Sequence, residues 1–147
     1  MRSTAQTGTR LHVPVMLEEV LNLLDISPNG IYLDGTIGTG GHSTLILERL
    51  SSKGCLIGID RDEEAIDICR RSLFNKKTPF YLFNDCYSNF EYIIQQLGID
   101  QVSGIILDLG LSSLQLDSPT RGFSYKINSN LDMRFNLSQK FSAYDLI

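Results

Sequence analysis

The sequence predicts an α/β fold built on a doubly wound parallel sheet, and two observations carry that expectation. Short, almost wholly apolar runs alternate with amphipathic segments of helical period in the order β-α-β-α-β-α-β. Strands of that composition belong to parallel sheets covered on both faces and joined by right-handed crossovers. The first apolar run, Ile31–Asp34, also passes straight into Gly35-Thr-Ile-Gly38-Thr-Gly40-Gly41, a glycine loop between a strand and a helix. At 147 residues, 42% hydrophobic and 20% charged, the chain has the size and composition of one domain with a core of its own.

Residues 1–11 read as a disordered tail that carries Arg2, Arg10 and several Ser and Thr but no acid. Organelle transit peptides share that composition, so a mitochondrial or plastid location stands as the alternative to a cytoplasmic one. His12-Val-Pro14 leads into a helix over Val15–Leu24, where Val13, Leu17, Val20, Leu21 and Leu24 recur at helical spacing behind a proline suited to a first turn. Ser27-Pro28-Asn29-Gly30 breaks the chain before the first strand. Beyond the glycine loop come a helix over Ser43–Leu50, a strand over Cys55–Asp60 and a helix over Asp62–Leu73 with acids in its first turn. A third strand, Phe80–Phe83, precedes a helix over Ser88–Leu97 with Phe90, Ile93, Ile94 and Leu97 on one face, and Gly104–Asp108 is the fourth strand. From Leu109 to Lys140 the chain is rich in Ser, Asn, Asp and Gly and reads as one long loop, a feature that compact domains keep for function or leave disordered. Ser142-Ala-Tyr-Asp145 has the pattern of a capping box and is expected to open another helix just before Ile147.

Thirteen Lys and Arg against seventeen Asp and Glu leave a net charge of −4, which excludes a surface broadly coated for phosphate. Contact with nucleic acid is then local. Cys55, Cys69 and Cys86 are odd in number, with no C-x-x-C pair. They indicate packing residues in a reducing compartment rather than a disulfide framework or a metal site. No apolar run approaches the roughly 20 residues of a membrane span.

In an open parallel sheet a ligand sits at the carboxyl ends of the strands, where the strand order reverses. Asp34, Asp60 and Asp108 lie at such ends. The glycine loop allows close approach of backbone, and the helix after it offers free N–H groups and a positive dipole end. Asp60 lies about 20 residues beyond the glycines, where a carboxylate accepts the hydroxyl protons of a ribose. The glycines at 35, 38, 40 and 41 do not fit G-x-G-x-x-G, and Asp34 just before them would face the pyrophosphate of NAD. A cationic ligand with an amino-acid tail, S-adenosylmethionine, suits that carboxylate instead.

Seven segments, in order, resemble the bacterial RsmH (MraW) family of ribosomal RNA methyltransferases. They are His12-Val-Pro-Val-Met-Leu, Asp34-Gly-Thr-Ile-Gly-Thr-Gly-Gly-His42-Ser, Gly58-Ile-Asp60-Arg-Asp62, Ile106-Leu-Asp108-Leu-Gly110, Ser112-Ser-Leu-Gln115-Leu-Asp117, Arg121-Gly-Phe-Ser124 and Leu131-Asp-Met-Arg134. The resemblance runs from His12 to Ile147 and implies a Rossmann-like class I S-adenosylmethionine-dependent methyltransferase fold with strand order 3-2-1-4. It implies methylation of the exocyclic N4 of a cytidine in small-subunit ribosomal RNA; the family has a mitochondrial relative. The resemblance places Gly40, Gly41 and His42 at the methionine end of the donor, Asp60 on the ribose and Tyr87 against the adenine. Asp108 and Gln115 complete the donor site, and Asp108 is the expected catalytic residue, holding the cytosine amine. The chain departs from the family at Leu114 and Ser129-Asn130, where proline and Gly-Pro are usual, and at Phe135, where methionine is usual.

Transfer to a cytosine amine is an in-line displacement in which positioning and control of charge do the catalysis. An acceptor such as a carboxylate orients the delocalised amine and receives its proton, and the base must first be unstacked. Arg121, Phe123, Tyr125, Lys126 and Arg134 interleave basic and aromatic groups that suit phosphate and base stacking. Each choice has a plainer alternative: His42 as a helix-start hydrogen-bond partner, Tyr87 as an aromatic at the core edge, the loop cations as solvated charges. Family members are longer, with a helical acceptor-side insertion and further strands. Residues 12–147 are therefore expected to be the N-terminal part of a methyltransferase domain, ending after the fourth strand and its loop. In such a piece activity is impaired and the fourth strand is an open apolar edge prone to self-association. A non-catalytic adenosyl-ligand-binding module and an NAD-dependent enzyme are the competing functions.

Overall fold

The computed structural model describes residues 16–147. The expected tail, the His12-Val-Pro14 entry and the start of the first helix at Val15 lie outside the described residues. Four parallel strands form one sheet in the order β3-β2-β1-β4. They are β1 (Ile31–Asp34), β2 (Cys55–Asp60), β3 (Phe80–Asn84) and β4 (Gly104–Ile106). The helices are α1 (Leu17–Leu24), α2 (Gly41–Arg49), α3 (Glu63–Leu73), α4 (Phe90–Gln96) and α5 (Ser113–Asp117).

Alternation along the strands builds two cores. Tyr32 and Leu56 point to the face where Leu21, Ile46, Leu47, Ile66, Cys69 and Leu73 of α1, α2 and α3 gather. Leu33, Ile57 and Ile59 point to the other, where Ile93 is buried and Phe90, Ile94 and Leu97 pack around it. The face read on α4 is thus the face that buries, Val20, Leu21 and Leu24 of the face read on α1 pack into the other core, and both sides of the sheet are covered as near-continuous apolar strands require.

Several boundaries differ from expectation: α2 spans Gly41–Arg49 rather than Ser43–Leu50, β3 runs on to Asn84, and the other departures have identifiable causes. Asp62 is not the first residue of α3 but its N-cap, with its side chain accepting from the Glu64 N–H. The turn Tyr87–Asn89 is 3-10, so α4 begins only at Phe90. β4 stops at Ile106, short of the expected Asp108. The Gly35 N–H still donates to the Ile106 carbonyl at 2.9 Å, but the Asp108 N–H goes to the Thr36 hydroxyl at 2.7 Å instead of to a neighbouring strand. Within the stretch read as loop, Ser112 and Gln115 form a complete capping box that starts α5. The pattern at Ser142 forms by half: the Asp145 carboxylate accepts from the Ser142 N–H at 2.8 Å, and only one 3-10 turn, Tyr144–Leu146, follows.

Candidate donor-binding site

The glycine loop folds down onto the end of β2. Ile37 is buried as its apolar anchor, its N–H donating to the Ile59 carbonyl, and the Gly38 N–H donates to Asp60 Oδ2 at 2.8 Å. Gly40, the residue before α2, sits at φ 91°, and a Cβ there would stand 3.0 Å from the Cys69 Sγ on α3. Both the left-handed backbone and the close approach of α3 call for glycine. Gly41 then opens α2.

Asp60 is the carboxylate at the end of β2. Its Oδ1 accepts from the Asp62 N–H at 2.9 Å while Oδ2 holds Gly38. A carboxylate offers about four lone-pair sites, so each oxygen retains capacity for a ligand hydroxyl. Burial pushes its pKa up, and the backbone hydrogen bonds from Asp62 and Gly38 oppose the shift.

Asp34 lies beneath the loop rather than at its surface. It is buried, with Oδ2 accepting from the Ser43 hydroxyl at 2.7 Å and Oδ1 from the Thr36 N–H at 3.2 Å. Burial pushes its carboxyl up to about 6, against the pull of Ser43, Thr36 and the nearby His42. An acid whose folded pKa is raised binds its proton more tightly when folded, so its contribution to stability falls as pH climbs from 3.8 through about 6. That loss is on the order of 3 kcal/mol. In Asp34→Asn, urea midpoints at pH 4.5 and 7.5 are expected to differ less than in the native chain, and an unchanged pH slope would contradict this.

His42, on the first turn of α2, is buried, and its Nε2 has no hydrogen-bond partner among the described residues. Tyr87 is half-exposed on the turn after β3. It approaches Gly35, where an added Cβ would stand 3.0 Å from the Tyr87 Cβ. Asp108 is exposed beside the loop, fixed through its N–H by Thr36.

Gln115 is brought to the site as support behind it. Its Oε1 accepts from the Ser112 N–H and its Nε2 donates to Asp62 Oδ2 at 3.0 Å, deep in the fold. Arg121 departs most from expectation. Rather than facing RNA, it is 3% exposed, paired with the buried Asp62 and donating to the Phe135 carbonyl at 2.9 Å. Arg134 likewise serves the loop, bonding Asp132 and the carbonyls of Leu137 and Gln139. Phe123 stacks edge-on against Phe135 at 5.3 Å. Of the five residues expected to contact RNA only Tyr125 and Lys126 are exposed, with the Lys126 Nζ 5.7 Å over the Tyr125 ring. Sequence reasoning missed Asp62, the acceptor on which Glu64, Gln115 and Arg121 converge. Its place just before α3, two residues beyond Asp60, was the available signal for a cap. It also missed Thr36.

Geometry of this kind defines a class: an open α/β sheet that takes a nucleoside-bearing ligand at its strand ends, on a glycine loop and a strand-end carboxylate. The sequence model of the MraW methylase family matches residues 9–147, and the chain belongs to that family. Ribosomal RNA small subunit methyltransferase H of Fusobacterium nucleatum is 46% identical over 140 residues, which are 95% of this chain and 45% of that protein. The protein of the same name from Caldicellulosiruptor saccharolyticus is 48% identical over 136 residues, 92% of this chain and 44% of its own. The chain thus spans less than half the length of the curated relatives it matches. A crystal structure of a candidate rRNA-methylase from Clostridium thermocellum superposes with a TM-score of 0.59 at 21% identity, over 70% of this chain and 56% of that one, a likeness of fold. Among the described residues no helix is long and apolar enough to cross a membrane.

Proposed function

We propose that this chain carries the S-adenosylmethionine site of an enzyme that methylates the exocyclic N4 of a cytidine in small-subunit ribosomal RNA. The observation that carries the reading is Asp60. Its carboxylate organises the glycine loop with one lone pair on each oxygen and keeps others for a ribose. The Nε2 of buried His42, unpartnered among the described residues, and the α2 N-terminus suit the carboxylate end of the same ligand. Gly40 lets the loop turn into α2 at φ 91° and Gly41 opens that helix toward the ligand, Tyr87 offers an aromatic face for adenine, and Gln115 braces the site through Asp62.

The donor, when bound, supplies an electrophilic methyl group on a sulfonium. The chain's own residues supply position and charge. Asp108 stands exposed at the mouth, where its carboxylate completes the donor site and accepts from the cytosine amine, orients it and takes up its proton. Exposed Lys126 and Tyr125 offer a cation and a ring to the RNA.

Incubating the protein with labelled donor and small ribosomal subunits tests the reading: label on a cytidine N4 supports it. Donor binding without transfer would favour a second reading, a non-catalytic adenosyl-ligand module. The burial of Arg121 gives that reading its footing, since it leaves one exposed cation among the expected RNA contacts. β4 is an edge strand with Ile105, and Leu107 just beyond its end, half-exposed, and self-association along it would raise the sedimentation coefficient with protein concentration. A cytoplasmic location accords with the free Cys55, Cys69 and Cys86.

A further inference from the structure

We propose that Thr36 is the positioning residue for Asp108: its side-chain oxygen takes the place of the next rung of the sheet and fixes Asp108 at the mouth of the site. The β1–β4 ladder runs out at the pair Asp34 and Ile106, followed by one further backbone bond from the Gly35 N–H to the Ile106 carbonyl. At the next position the acceptor for the Asp108 N–H is the Thr36 Oγ1, at 2.7 Å and 72 residues away in sequence. Thr36 is itself held. Its N–H donates to Asp34 Oδ1 at 3.2 Å, and the other oxygen of that buried carboxylate accepts from the fully buried Ser43 hydroxyl on α2.

A continuous set of bonds therefore runs from the first turn of α2, through Asp34 and Thr36, to the backbone of Asp108. Its consequence is geometric. β4 is released from the sheet two residues before Asp108, and without the Thr36 acceptor nothing in the described hydrogen bonding would fix the direction in which the Asp108 carboxylate leaves the strand end. Group transfer is sensitive to such placement, since reacting groups displaced by about an ångström lose orders of magnitude in rate.

The role given to Asp108 rests on the proposed function, so the test has one arm that does not depend on it. In Thr36→Val, which keeps the branched shape and removes the acceptor, amide hydrogen exchange at Asp108 is expected to quicken about tenfold. Exchange at Gly35, bonded to the Ile106 carbonyl, serves as the internal control and should hold. The second arm measures affinity for S-adenosylhomocysteine in a double-mutant cycle. Thr36→Val should weaken it about tenfold. Thr36→Ser should restore it to within about twofold, and in an Asp108→Ala background Thr36→Val should cost less than about twofold. An equal loss with and without the Asp108 carboxylate would mean that Thr36 only supports the loop, and unchanged Asp108 exchange would remove the bond; either overturns the proposal. If the native chain binds no S-adenosylhomocysteine, the proposed function fails while the exchange arm still decides whether Thr36 holds Asp108.

Discussion

Arg121→Met is expected to destabilise the fold by about 3–5 kcal/mol, the cost of removing one partner from a buried ion pair. Asp62 and Arg121 have side chains only 2% and 4% exposed. Without the guanidinium, the Asp62 carboxylate stays in the interior with the Glu64 N–H and the Gln115 amide as its remaining donors. Its negative charge then has no opposite charge beside it. Asp62→Asn in the same chain should recover part of the loss, because the amide oxygen can still cap α3 while the charge is gone. Arg121 also anchors residues far along the chain, through its bond to the Phe135 carbonyl and the Met133 N–H donated to its own carbonyl. Trypsin should therefore cut at the exposed Lys126 faster in the variant. A native urea midpoint together with a native rate of cleavage would show that the pair carries no such weight.

Asp60→Ala is expected to weaken binding of S-adenosylhomocysteine by at least about a hundredfold. Two charge-assisted hydrogen bonds to ribose hydroxyls at about 1.5–3 kcal/mol each account for that loss. The same substitution frees the Gly38 N–H and loosens the glycine loop. Asp60→Asn, which keeps one oxygen acceptor, should fall between the two. Calorimetric titration reads both variants, with the melting temperature checked so that unfolding is not taken for lost affinity. Undiminished binding in Asp60→Ala would remove the carboxylate from the site.

Much of the scaffold was legible locally, and the reason lies in burial. β1 and β2 fall on the residues expected, since both are apolar runs covered on two faces and bounded by glycine and aspartate. The apolar face of α4, with Phe90, Ile93, Ile94 and Leu97, was equally plain. β4 was overestimated because the bond that ends it is made by the side chain of Thr36, which no pattern in residues 104–108 could announce. α5 is too short for helical periodicity to register, although Ser112 followed three residues later by Gln115 was a readable start signal.

The candidate site divides in the same way. Asp60 and the glycine loop were found because their spacing is local and their chemistry general. Arg121 was misplaced because an arginine in a polar loop reads as solvated, and its burial depends on a carboxylate 59 residues earlier. Long-range pairing of charges leaves no periodic trace in a sequence.

Whether the strand ends of this sheet take an adenosyl methyl donor is best decided by calorimetric titration of the protein with S-adenosylhomocysteine and, separately, with NAD. Saturable binding of S-adenosylhomocysteine with no heat from NAD is expected, from the spacing of the glycines and the carboxylate of Asp60. Binding of NAD alone would contradict it.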